Sequence, residues 1–337
     1  MTLKNTLIRV FPAALLIIFY WISQAKTSKN VVWIYASIYK EVIAAFDEEL
    51  RRLYPDISVQ WYQSGSENVA ARVNAELSSG ASQADLIMTS DPFWYLELKE
   101  SGHLLSYFSP LAQTLEARYK DPEGFFIINR IPVGIIAYET RRVSSQEAPR
   151  SWEDLMRPQW KHQLSMPSPL ESGTALSFIL NLVQHKGWSF FEALKRNQLI
   201  VSGGNSSVMQ RIETQETPIG IVLLENALQA QKRGAPISIV YPKEGSILIP
   251  SPIAILSQTS HLEASKKIYD FFLTETAQRI FLKAHVYSPF LKSEAPEGAK
   301  PFSEIEKTAF EWNANILKEL SKNKESTKKR FSEMLLK

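Results

Sequence analysis

Hydrophobic residues alternate in some segments of the chain and recur at helical spacing in others. Val31 to Tyr35, for example, is a run of β-branched and aromatic residues, which predicts a buried strand. The same criteria predict strands at 31–35, 57–61 and 85–88 and helices at 42–53 and 68–77. This order indicates βαβ units with a parallel sheet.

A second set of such elements follows. The pattern predicts a helix from Thr174 and strands at 131–138, 199–201, 219–224, 237–241 and 251–256. Two αβ lobes joined by two extended crossings, at 131–138 and 251–256, fit this order. The residues from about Gly298 are helical and rich in Lys and Glu, and we expect 322–330 to lie on a solvated helix face.

The first 25 residues read as a secretory signal peptide. Lys4 and Arg9 precede the 13 apolar residues 10–22, and Ser23-Gln24-Ala25 ends the segment with small residues. The apolar run is shorter than the roughly 20 residues of a membrane-spanning helix, although an uncleaved anchor is the alternative. Export to the periplasm is the expected localisation.

Composition excludes several classes of function. The 337 residues include 38 Lys and Arg against 35 Asp and Glu, which is too even for a nucleic-acid-binding protein. With no cysteine, the chain has neither thiolate metal sites nor cysteine nucleophiles. The five histidines are scattered without metal-ligand spacing, and no phosphate-loop, dinucleotide, zinc-protease or serine-hydrolase motif is present. The sequence therefore predicts no enzyme and no resident cofactor or metal.

Short polar clusters stand where predicted strands end and helices begin. The clearest are Glu171 to Thr174, Ser202 to Ser207 and Ser64 to Ser66. The N-terminus of a helix presents free N–H groups that favour an anion, and ligands of open αβ sheets bind beyond the carboxyl ends of the strands. Ordinary helix capping is the alternative for each cluster taken alone.

One stretch of the second half resembles a known family. Ser151-Trp152-Glu153-Asp154-Leu155, Pro158-Gln159-Trp160-Lys161, Met166-Pro167-Ser168-Pro169 and Ser172-Gly173-Thr174 follow in the order seen in type II periplasmic solute-binding proteins of ABC importers. The similar branch holds ferric-iron, phosphonate and hexose-phosphate binders. The resemblance covers about residues 30–290.

The resemblance implies an α/β protein of the type II periplasmic binding fold, with two lobes of mainly parallel sheet joined by two hinge strands. We expect residues 26–134 and 254–337 in lobe 1 and residues 135–253 in lobe 2. It also implies a monomer that closes on a small anionic ligand and hands it to an inner-membrane ABC permease.

Candidate ligand-binding residues follow from the polar clusters and from the resemblance. They are Tyr35, Ser37, Ser66, Ser90, Ser172, Gly173, Thr174, Gly204, Asn205, Ser206, Glu225 and Asn226. Ferric-iron members carry an adjacent tyrosine pair after the strand that is 219–224 here, whereas this chain has Glu225-Asn226. A carboxylate and an amide suit the hydroxyls of a sugar or an amine.

The leading expectation is a receptor for a small phosphorylated or phosphonate organic anion. A ferric-iron receptor with Glu225 as a metal ligand is the first alternative, since Fe³⁺ prefers anionic oxygen ligands. A ligand sensor that docks on a membrane kinase is the second.

Overall fold

Two β-sheets organise residues 30–336, the part of the chain that the computed structural model describes. The predicted signal peptide lies outside the described residues. The strands are β1 (Asn30–Ala36), β2 (Ile57–Gln63), β3 (Leu86–Met88), β4 (Ile127–Arg130), β5 (Val133–Glu139), β6 (Leu164–Met166), β7 (Ile200–Val201), β8 (Ile219–Leu223), β9 (Ile237–Val240), β10 (Ile247–Leu248) and β11 (Ser251–Ile255).

The helices cover the sheets and, within residues 30–336, none of them is long and apolar enough to cross a membrane. They are α1 (Lys40–Leu53), α2 (Ser66–Ser78), α3 (Pro92–Glu100), α4 (Gly173–Lys186), α5 (Trp188–Arg196), α6 (Asn205–Glu213), α7 (Leu224–Lys232), α8 (Leu262–Phe271), α9 (Glu275–Lys283), α10 (Phe302–Thr308) and α11 (Ala314–Leu335).

In each sheet, one strand runs against all the others. The first sheet has the order β2-β1-β3-β11-β4 with β11 antiparallel to its neighbours, and the second has the order β10-β5-β8-β6-β7, with β9 also on β5 and β5 antiparallel. The two antiparallel strands are the first that the chain forms after it crosses between the lobes: β5 when it enters the second lobe and β11 when it returns to the first. The predicted α/β fold with two mainly parallel sheets is confirmed.

The chain crosses between the sheets twice, at residues 131–132 and 249–250. The two crossings lie side by side, because the Ile249 N–H donates to the Pro132 carbonyl at 2.9 Å. The strand predicted over 131–138 is confirmed as β5 from residue 133 onward, whereas residues 131–132 form the crossing, where Pro132 lacks an N–H. Both crossings come a few residues before the lobe limits that we expected after residues 134 and 253.

The C-terminal helix α11 packs on both lobes. Leu320 joins a buried cluster with Phe93 of the first lobe and Leu176 and Leu180 of the second. Phe331, further along the same helix, belongs to the core of the second lobe. The expectation of a solvated face over 322–330 is therefore wrong in part, because Lys324 is 6% exposed and turns toward the lobes.

Candidate functional site

A cavity of about 230 Å³ lies between the lobes, at the carboxyl ends of strands from both sheets. Nine of the predicted site residues line it. They are Ser37, Ser66 and Ser90 from the first lobe and Ser172, Thr174, Gly204, Asn205, Ser206 and Glu225 from the second. The parallel strands bring these residues together because their carboxyl ends share one edge of each sheet.

Three predicted residues lie elsewhere. The Tyr35 hydroxyl donates to Glu76 Oε1 at 2.8 Å beneath α2, and burial raises the pKa of Tyr35 to about 12. Gly173 sits where the lobes meet, because a methyl group on it would lie 2.9 Å from Asp91 Cβ. Asn226 Oδ1 accepts a hydrogen bond from the Tyr39 hydroxyl of the other lobe at 3.0 Å.

Helices α2, α4 and α6 begin at the cavity with polar residues. The first turns of α2, α4 and α6 contribute Ser66, Thr174 and Asn205 to its wall. The residues preceding these helices are Gly65, Ser172 and Gly204, and none of the three makes a side-chain capping bond. The polar clusters therefore do not serve as N-cap side chains, and the positive ends of three helix dipoles are available to an anion.

Hydroxyl and amide groups of the second lobe form a small network on the cavity wall. Ser172 Oγ lies 2.8 Å from Thr174 Oγ1, and Asn205 Nδ2 donates to the same Thr174 oxygen at 2.8 Å. Asn205 Oδ1 is buried and has no hydrogen-bond partner within residues 30–336. An unsatisfied buried acceptor is costly, so a ligand donor at this position would be favoured.

Arg130, which the sequence analysis missed, supplies a cation to the cavity. Its side chain is buried at the end of β4 and donates from Nη2 to Ser90 Oγ at 3.2 Å. Burial lowers the pKa of Arg130 to about 10, which leaves the guanidinium charged at neutral pH. The sequence carried one signal for Arg130: a charged residue two positions after the apolar run 125–128, at the carboxyl end of the strand β4.

Glu225 brings a carboxyl group into the same cavity. It is 5% exposed, and its Oε2 atom has no hydrogen-bond partner among the described residues. Burial raises the pKa of Glu225 to about 8, against a smaller lowering by the charge of Arg130. Within residues 30–336, no group of three His, Asp or Glu side chains is placed to hold a metal ion.

Residues 81–313 match the family model of bacterial extracellular solute-binding proteins. A protein of Sinorhizobium fredii, named a probable ABC transporter periplasmic-binding protein, is 24% identical over 203 residues, 56% of each chain. A Salmonella paratyphi A protein, named as a candidate 2-aminoethylphosphonate-binding periplasmic protein, is 21% identical over 232 residues, 66% of each chain. The matched region thus spans between about half and two thirds of these relatives.

Solved structures share the whole architecture. The periplasmic binding protein AfuA of Actinobacillus pleuropneumoniae, with fructose-6-phosphate bound, has a TM-score of 0.80 at 22% identity and covers 91% of this chain and 99% of its own. Iron-bound HitA of Pseudomonas aeruginosa has a TM-score of 0.77 at 18% identity, and the match covers 90% of this chain and 99% of the HitA chain. At these identities the likeness establishes the type II periplasmic binding fold. Together with the family match, it shows that the chain belongs to the bacterial extracellular solute-binding proteins, the receptors of ABC importers.

Proposed function

We propose that this receptor captures a small phosphorylated or phosphonate organic anion for import. The observation that carries the proposal is the convergence of three helix N-termini and the Arg130 guanidinium on one cavity between the lobes. Backbone N–H groups, hydroxyls and a planar guanidinium together match the several acceptor oxygens of a phosphoryl group.

The rest of the ligand carries hydrogen-bond donors. Glu225 Oε2 and Asn205 Oδ1 are buried oxygens without hydrogen-bond partners among the described residues. Hydroxyl or ammonium groups on the ligand would satisfy both. The cavity of about 230 Å³ is smaller than the pockets of roughly 300–1,000 Å³ that hold drug-sized ligands, so the ligand is a small molecule.

The ligand class agrees with what similar proteins are named for. A hexose phosphate is bound in the AfuA structure, and the Salmonella relative is named for an aminoalkylphosphonate. Both molecules combine a phosphorus-centred anion with hydroxyl or ammonium donors. We extend the proposal to the rest of the system: a cleaved signal peptide over residues 1–25, a monomeric periplasmic receptor and delivery to an inner-membrane permease.

A thermal melt of the exported chain, residues 26–337, tests the proposal. The panel holds fructose 6-phosphate, 2-aminoethylphosphonate, phosphoglycerate, inorganic phosphate and ferric citrate. A ligand at 100 times its Kd adds about 2.7 kcal/mol to the free energy of unfolding. We expect a shift with one of the organic phosphorus compounds. A shift with ferric citrate alone would contradict the proposal and support a ferric-iron receptor with Glu225 as a metal ligand.

Calorimetry separates ammonium from hydroxyl ligands. An ammonium group next to Glu225 would favour the ionised carboxylate, so its binding at pH 7 would release about one proton, given a pKa of about 8 in the free protein. The proton count follows from binding enthalpies measured in buffers of different ionisation enthalpy. A hydroxyl ligand would leave the proton on Glu225.

A further inference from the structure

The C-terminal helix α11 runs past the junction of the lobes close to the cavity. Its Leu320 packs with Phe93 from α3 and with Leu176 from α4, the helix whose first turn lines the cavity. The family match ends at residue 313, one residue before α11 begins. This helix is therefore outside the part of the chain that the family model accounts for.

Lys324 is the buried charge of α11. Its side chain is 8% exposed, and its Nζ atom lies 3.0 Å from Glu97 Oε1 and 3.6 Å from Asp91 Oδ2. One turn further along, Lys328 pairs with Glu67 in the first turn of α2. Both lysines thus meet carboxylates of the first lobe: Glu67 and Asp91 lie at the N-terminal ends of α2 and α3, and Glu97 lies further along α3.

Asp91 lies directly behind the proposed anion site. It follows the cavity residue Ser90, its side chain is 2% exposed, and its Oδ1 accepts from the N–H groups of Phe93 and Trp94 at the start of α3. A methyl group built on Gly173 would lie 2.9 Å from Asp91 Cβ and 3.0 Å from Ser66 Cβ. The first turns of α2 and α4, which face the cavity, therefore meet at this aspartate.

A buried carboxylate in this position opposes the binding of an anion. Burial is the main effect on the pKa of Asp91 and raises it, while the nearby Lys324 charge lowers the pKa and favours the ionised form. Ionised Asp91 without a counter-charge would weaken the positive potential of the two helix N-termini next to it.

We propose that Lys324 is a positioning residue for ligand binding, which neutralises Asp91 so that the N-termini of α2 and α4 can hold an anion. The proposal rests on the proposed function, because it requires that the ligand is an anion. It makes α11 part of the binding apparatus, although no residue of α11 lines the cavity.

Isothermal titration of the exported chain with fructose 6-phosphate, 2-aminoethylphosphonate and inorganic phosphate tests it. Lys324→Met should weaken the binding of the anion by about thirtyfold, the effect of one uncompensated charge on a monoanion at a separation of roughly 8 Å and an effective dielectric constant of about 20. Lys322→Met, an exposed change on the same helix, is the matched control and should leave affinity unchanged.

Asp91→Asn separates electrostatics from packing. Asn keeps the capping oxygen of α3 but removes the charge, so the single variant should bind the anion more tightly than wild type. In the double variant Lys324→Met/Asp91→Asn, affinity should return to within about threefold of wild type. If the ion pair had only a structural role, Asp91→Asn would weaken binding and would not restore the affinity lost in Lys324→Met.

The outcomes are distinct. Wild-type affinity in folded Lys324→Met, or a double variant as weak as Lys324→Met, would overturn the proposal. If Lys324→Met does not fold, Asp91→Asn decides by itself, because equal or weaker binding overturns the proposal and tighter binding supports it. If wild type binds none of the three anions and phosphoglycerate does not bind either, the proposed function is overturned, and this inference with it.

Discussion

The Tyr39 hydroxyl donates a hydrogen bond of 3.0 Å to Asn226 Oδ1 across the cleft. Tyr39 precedes α1 in the first lobe, and Asn226 lies in the first turn of α7 in the second. The bond joins the two lobes next to Glu225. Asn226, which the sequence nominated as a ligand contact, is therefore engaged by the protein itself.

Tyr39→Phe should lower ligand affinity by about three- to tenfold. It removes one interlobe hydrogen bond, and such bonds contribute a net ~0.5–1.5 kcal/mol. Titration calorimetry measures the change. Tyr107→Phe is the control, because the Tyr107 hydroxyl donates to Asp270 within the first lobe and its loss should affect stability alone. Equal affinities of wild type and Tyr39→Phe would show that the bond does not stabilise the closed state.

Glu225 should make the ligand-free protein less stable as the pH rises. Burial raises its pKa to about 8 from an ordinary value near 4.5, so the folded state holds a proton that the unfolded chain releases. The free energy of unfolding then falls between about pH 4.5 and pH 8, by at most ~1.4 kcal/mol per pH unit.

Glu225→Gln should remove this contribution, so that the variant gains on wild type between pH 5 and pH 8 in urea unfolding. Glu263→Gln, an exposed change in α8, serves as the control. If wild type and Glu225→Gln show parallel pH profiles over this range, Glu225 is ionised in the folded protein.

Arg130→Met should reduce affinity for a phosphorus-centred anion by about ten- to a hundredfold. The guanidinium is the buried cation that lines the cavity wall, and hydrogen bonds to charged groups contribute ~1.5–3 kcal/mol. Arg130→Lys should recover little, because an ammonium cannot present the planar fork. Arg141→Met, on the exposed side of the second lobe, is the charge control. Unchanged affinity in folded Arg130→Met would remove the guanidinium from the anion site.

Gly65→Ala should obstruct closure of the lobes. Gly65 has a φ of −61°, which alanine adopts readily, yet its methyl group would lie 2.4 Å from the carbonyl oxygen of Glu171 in the other lobe. Small-angle scattering with saturating ligand should report a larger radius of gyration than for wild type, with affinity lowered about tenfold. Melting of the ligand-free protein should change little. Identical scattering curves would mean that the lobes close without this contact.

Local pattern was enough for most of the fold. The runs at 31–35 and 57–61 became β1 and β2, and the polar clusters before α2, α4 and α6 line the cavity as expected. These predictions held because buried strands need apolar runs and because strand ends in parallel sheets share one edge. The family motif between Ser151 and Thr174 added the two-lobed arrangement, which the family match supports.

Contacts between distant segments required the tertiary structure. Tyr35 and Ser37 lie two positions apart, yet Tyr35 is inside β1 and its hydroxyl reaches Glu76 of α2, while Ser37 follows the carboxyl end of the strand and lines the cavity. Arg130 and Glu225 share that cavity although 95 positions separate them in the sequence. Lys324 looked like one lysine among many on a charged helix, and only the packing of α11 places it on Asp91. Residue type and spacing determined which elements form and where polar groups gather. Burial and charge compensation depend on which segments the fold brings together, and these were decided by the tertiary structure alone.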